Sequence, residues 1–322
     1  MSETGHPTPQ RLTSSRTSAH IESAQWFGAR RYRPCWNPLF LCMDATDVIA
    51  TSLTHANCRL STALSDHPPP PPSMSTRKDL CCSIGIHRAP AYLSKDEFTA
   101  RMSALADALC AVPVVQKNLV KFDVITRTNI LEGQGTAMQM SEPQPIVLFL
   151  HEYETGEHMV EVLADPNVQK LVAEAEEFGF QTGGTSFGVN VVTKMQRDTP
   201  GTNVHAFGIC SAPPQVSAAQ FTANFEAFIE KFLELPIVRK NFVKYTILFP
   251  QNVLDKEFQS LGLSAPTTPI AVTRGEAKNW DAVVEIAEDP EVREFMAGGV
   301  KDFVFQAESS FFASEIITKL SG

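Results

Sequence analysis

No run of the ~20 apolar residues that a membrane-spanning helix needs occurs in this chain of 322 residues. The apolar string PLFLCM at 38–43 is too short for a signal-peptide core and lies too far from the first residue. Basic charge is also scarce. Lys and Arg number 27 against 36 Asp and Glu, a net charge of −9 with a pI near 5.4. That balance argues against a nucleic-acid or anionic-membrane partner, because both need a basic face. Cysteine is sparse and odd in number: seven residues, with Cys81 and Cys82 adjacent and no C-x-x-C pair. This usage fits reduced thiols in a cytoplasmic protein better than a disulfide framework or a zinc site. G-x-S-x-G, the Walker A sequence, the dinucleotide fingerprint and H-E-x-x-H are all missing. The glycine pair in FQTGGTSFG, 180–188, precedes a β-rich run. A phosphate cradle would instead open a helix, so this pair reads as a turn. No metal and no nucleotide cofactor is therefore expected.

What is present is hydrophobic residue, 43% of the chain, enough for sizeable cores. It is unevenly spread. Residues 1–73 are rich in Ser, Thr, Pro, Arg and His, lack periodicity and end in HPPPPPS at 67–73. Polyproline neither joins a sheet nor continues a helix, so 1–76 is expected to be a disordered extension. Two other readings stand beside it. Met74 is an alternative start, and a targeting peptide is disfavoured by Glu3, Glu22, Asp44 and Asp47.

From residue 83 the chain repeats itself. SIGIHRAP at 83–90 returns as AFGICSAP at 206–213, and VPVVQKNLVKFDV at 112–124 returns as LPIVRKNFVKYTI at 235–247, both 123 positions on. Asp165-Pro166 matches Asp289-Pro290, and VVTKM at 191–195 matches IITKL at 316–320. Two units are expected, 77–197 and 203–322. Each opens with a β-rich run that ends in Ala-Pro, which stops a strand. Ser94 with Glu97, and Ser217 with Gln220, form capping boxes for a following helix. The quoted segments then alternate as strands, with Pro113 and Pro236 marking the exits of the preceding helices. A polar loop, a third strand (146–153; 270–277), a helix interrupted at Asp-Pro and a last strand (187–195; 311–320) complete each unit. The order β-α-β-β-α-β, twice, is the ferredoxin-like plan. Such a sheet has helices on one face only, yet its other face carries apolar residues such as Val147, Phe149, Val192, Leu248 and Ile317. Two sheets that cover each other solve this, so the expected fold is α+β, with tandem ferredoxin-like units closing one barrel.

These features resemble the dimeric α+β-barrel superfamily and, within it, the EthD-like proteins of fungi. The likeness covers residues 80–320 and rests on the doubled element order and on LPIVRKNFVKY. It implies a small organic ligand, aromatic or polyketide-like. It also implies either cofactor-independent chemistry (oxygen addition, or cyclisation or dehydration by proton transfer) or a non-catalytic binding or stress-response role. Many EthD-like sequences carry His-Ala-Pro late in the first helix, whereas this chain has no His in 94–110 or 217–233.

Strand alternation supplies other candidates. If Ile84, Val120, Phe122, Leu148 and Val191 face the helices, then His87, Asp123, His151 and Asn190 point into the barrel. A carboxylate beside an imidazole orients and charges it, so His87, Asp123 and His151 are the candidate proton-transfer groups. The second unit carries Cys210, Thr246 and Gly275 at or near the matching places, so one half alone would be equipped. The plainer reading leaves both histidines at strand ends, in water. Asn190, Tyr245 and Trp280 are the candidate ligand-lining residues. A lysine series (Lys117, Lys121, Lys240, Lys244) reads as edge protection or a wet rim.

Overall fold

The computed structural model describes residues 80–198, 201, 203–302 and 304–322. The expected N-terminal extension, 1–76, the polyproline and Met74 lie outside them.

The first half runs β1 (Cys81–Arg88), α1 (Lys95–Cys110), α2 (Pro113–Asn118), β2 (Leu119–Arg127), α3 (Gln134–Ala137), β3 (Ile146–Tyr153), α4 (Gly156–Ala164), α5 (Pro166–Glu174) and β4 (Gly184–Gln196). The second runs β5 (Val204–Ser211), α6 (Ala218–Glu234), α7 (Pro236–Asn241), β6 (Phe242–Gln251), α8 (Asp255–Ser260), β7 (Ile270–Ala277), α9 (Trp280–Glu288), α10 (Pro290–Lys301) and β8 (Ser310–Ser321). Local chemistry explains the boundaries. Ser94 and Ser217 accept from the backbone N–H of Glu97 and Gln220, and Asp165 and Asp289 cap α5 and α10, whose first residue is Pro. The segments after Pro113 and Pro236 differ from the sequence expectation. Both begin with a six-residue helix before the strand starts. The repeated Lys-Asn ends these helices: Lys117 and Asn118 bond Glu161 on α4, and Lys240 and Asn241 bond Glu285 on α9.

The eight strands close a barrel in the order β1-β3-β2-β8-β5-β7-β6-β4, with every neighbour antiparallel. The seams β2·β8 and β4·β6 join the halves, so no sheet edge is left open. Two clasps reinforce them: Lys194 on β4 reaches Glu226 and Glu230 of α6, and Lys319 on β8 reaches Asp107 and Ser103 of α1.

Strands such as IVLFL are apolar on both faces because both faces are buried. Val147 and Phe149 face the first set of helices, while Leu148 and Leu150 join Ile84, Ile86, Phe187 and Phe312 in the barrel lumen. Side chains fill that lumen. A cluster of polar groups, among them Asp123, Lys244, Arg274 and Glu276, stands at the mouth where β1, β2, β5 and β6 begin and the other four strands end.

Candidate functional site

Partners directly opposite each other in an antiparallel pair point to the same side of the sheet. Ser83 and Phe122 both pair with His151, and His87 pairs with Val147. All five therefore lie on the helix side. Asp123 pairs with Leu150 and so faces the lumen. This corrects the expected alternation: Ile84 and Leu148 line the lumen, and His87 and His151 occupy the space between sheet and helices. Both faces are apolar, so hydrophobicity alone could not give the sign.

The structure brings His87 and His151 into one cavity of about 60 Å³. His87 is buried and His151 is partly buried, so neither stands in open water as strand-end positions suggested. Phe149 stands between their rings, with centroids 5.4 Å from His87 and 6.1 Å from His151. His87 is held in place from its far side. Its ring stacks on Phe180 at 4.1 Å, and its Nδ1 lies 3.0 Å from the Phe180 carbonyl. A carbonyl only accepts, so Nδ1 carries the proton and Nε2 is left with its lone pair. A Cβ on Gly184 would stand 2.4 Å from that carbonyl oxygen and 2.8 Å from Nδ1. One on Gly183 would meet the Arg88 carbonyl oxygen at 2.5 Å. The glycine pair is therefore a close backbone passage that seats His87. His151 Nδ1 lies 3.3 Å from the Ser83 hydroxyl.

Burial keeps both imidazoles neutral. His87 is pushed down to about 4, with the Phe180 carbonyl acting weakly the other way. His151 falls to about 3 by burial and then by the neighbouring His87, with Asp123 opposing from across the sheet. The Tyr153 phenol beside them is raised by burial. Phe258, Leu261 and Leu263, from α8 and the residues after it, roof the cavity. Met138 and Met140 of the first half roof the corresponding cavity of the second, so each half closes the other's.

The second cavity, about 50 Å³, has no imidazole. Register places Ala206, Cys210 and Gly275 where Ser83, His87 and His151 stand. A Cβ on Gly275 would lie 2.6 Å from the Phe242 ring, so that ring fills the room the histidine takes in the first half. The Cys210 thiol is raised to about 12 by burial.

The other candidates lie elsewhere. Asp123 is fully buried in the lumen, 2.5 Å from Lys121 Nζ, and accepts from the Thr318 hydroxyl at 2.7 Å. Tyr245 lines the second cavity, Asn190 is exposed at the polar mouth, and Trp280 packs on the second core and lines neither cavity. The sequence reading missed Ser83, Phe149 and Phe180. Their signal was the register of β1 against β3 and the glycine pair. Among the described residues, no group of three or more His, Cys, Asp or Glu could hold a metal, and no helix is long and apolar enough to cross a membrane.

No family model and no curated protein matches the sequence. Solved structures that resemble the chain include an anthrone oxidase-like protein (TM-score 0.44, 11% identity, 76% of this chain and 96% of that one). A proposed monooxygenase from Fusobacterium nucleatum subsp. nucleatum also resembles it (0.43, 7%, 76% and 95%), as does another from Lactobacillus acidophilus (0.37, 8%, 75% and 94%). With TM-scores under 0.5, the fold rests on the strand order and register above, and no residue role is carried across.

Proposed function

We propose that this chain is a tandem EthD-like barrel of the cytoplasm that encloses a small, largely apolar organic molecule between the sheet and helices of its first half. On this reading it transfers a proton to His87 without metal or nucleotide. One observation carries the proposal: a buried imidazole whose Nδ1 is tied to a carbonyl keeps an unprotonated Nε2 in a largely apolar cavity whose other polar lining is Ser83, His151, Tyr153 and Ser186. His87 is a weak base while the cavity is empty. An anion forming on a bound phenol- or enol-like substrate would raise its proton affinity, so the proton moves as the charge appears. Ser83 positions His151, which places a second imidazole beside the substrate. Units 77–197 and 203–322, with imidazoles in the cavity of one and none in that of the other, are part of this reading. Oxygen addition to the resulting carbanion, or cyclisation, would be the subsequent step.

Cavity size favours a second reading. About 60 Å³ is far below the ~300 Å³ of an ordinary ligand site, as expected of a non-catalytic barrel that sequesters a ligand only when the Phe258–Leu263 roof lifts. One experiment separates the two. Ligand recovered with the chain from its native host is identified by mass spectrometry and returned to the purified protein in D₂O. Catalysis predicts deuterium at the ligand's acidic C–H with the natural chain and at least ~100-fold slower exchange in His87→Leu. A ligand that binds without exchange leaves the sequestering reading.

A further inference from the structure

We propose a second site, at the polar mouth of the barrel, that binds a small organic carboxylate through Arg274 and Lys244. An open recess of about 680 Å³ lies there, apart from both cavities between sheet and helices. Arg274 on β7 and Lys244 on β6 line it, with Glu152 as the carboxylate among the lining residues. Both cations share one buried partner, Glu276, and both hold it loosely: Arg274 Nη2 at 3.4 Å and Lys244 Nζ at 3.7 Å. Charge-assisted bonds normally close to ~2.7–2.9 Å. The other contact of Arg274 is to His205 Nδ1, again at 3.4 Å. Its Nε is buried and has no hydrogen-bond partner among the described residues. A guanidinium offers five N–H donors in a planar fork, and here most of that capacity is unused. Lys121, another lysine at this mouth, is already closed on Asp123 at 2.5 Å, so the two cation arrangements differ in kind. The floor of the recess is apolar (Leu150, Val189, Leu248), and Thr193 and Thr246 stand at its side. A carboxylate matches the Arg fork in two parallel bonds, and an apolar body can rest on that floor. Inorganic phosphate would meet the same cations but not the floor.

Benzoate is a suitable probe, with benzamide and inorganic phosphate as comparators. Titrated into the full chain and followed by backbone amide NMR, benzoate is expected to bind saturably. The shifts should lie at Thr193, Thr246 and Arg274, leaving Val168 and Phe180 of the first cavity unmoved. Benzamide should not bind, and phosphate should bind more weakly than benzoate. Arg274→Gln should raise the benzoate Kd at least ~tenfold, the scale of one lost charge-assisted bond. Lys244→Gln, at a partly exposed position that tolerates change, should raise it ~threefold and keeps the test open if the Arg274 variant fails to fold. Unaltered affinity in both variants, shifts centred on Val168 and Phe180, or phosphate binding as tight as benzoate would each overturn the proposal.

Discussion

Between pH 6.5 and about 4 the protein is expected to lose much of its stability. The cause is the pair of enclosed imidazoles. In the unfolded chain both titrate near the ordinary value of 6.5, whereas in the folded chain His87 is held at about 4 and His151 at about 3. The unfolded state therefore binds more protons across that window, and stability rises with pH there. The contribution is fully present above 6.5. It is lost progressively as pH falls toward the folded values, below which both states are protonated and the slope vanishes. One pKa unit corresponds to ~1.4 kcal/mol. His87 alone thus puts ~3 kcal/mol at stake, and His151, which is only partly buried, adds in the same direction, against a typical total of ~5–15 kcal/mol. His205, lowered by burial and then by Arg274, acts in the same direction. Glu161, Glu176 and Glu285, lowered chiefly by side-chain hydrogen bonds, lose their contribution only as pH falls below about 4.5. Thermal melts at half-unit steps from pH 8 to 4 check this. A melting temperature that stays level from 7 to 4.5 would show that the imidazoles are not buried as neutral groups.

Phe149→Ala is expected to cost ~3–5 kcal/mol, the range for emptying an aromatic core position. Phe149 lies at the centre of the first core, 1% exposed. Its ring meets Phe122 edge-on at 5.1 Å and stands between the two imidazoles. Truncation therefore removes the apolar wall that keeps the imidazoles apart and joins its own volume to the cavity of about 60 Å³. The same change should admit a small apolar ligand, so part of the lost stability should return when one is added. Urea unfolding with and without benzene would measure both effects. A loss under ~1 kcal/mol would mean that the wall is not packed as described.

How much of this was legible in the sequence differs from one element to the next. The strands and long helices could be read because local chemistry marks them: Ser94 and Ser217 as caps, Ala-Pro as strand stops, Asp-Pro as the start of α5 and α10. The barrel followed from strands with no polar face. The short helices at Pro113 and Pro236 were hidden because six residues are too few to show a period. The facing of His87 and His151 was not legible for a related reason. Residues of β3, which pairs with β1, are apolar in both parities, and the bulge between Leu119 and Lys121 breaks any count carried along β2. Asp123 was placed correctly toward the lumen, yet its true partners, Lys121 and Thr318, include a residue 195 positions away. The mouth cluster was beyond reach because Arg274, Glu276, Lys244 and His205 come from three strands, and only the register of β5, β7 and β6 assembles them.

The central claim is that His87 stands neutral, with its proton on Nδ1 and its Nε2 open to the cavity. Long-range ¹H–¹⁵N correlation of the imidazole nitrogens, followed from pH 8 to 4.5, tests it most directly. The account predicts a protonated, pyrrole-type Nδ1 and a pyridine-type Nε2 that do not change until the protein approaches pH 4 or unfolds. An His87 ring that titrates near 6.5 in the folded protein, or one protonated on Nε2, would contradict it.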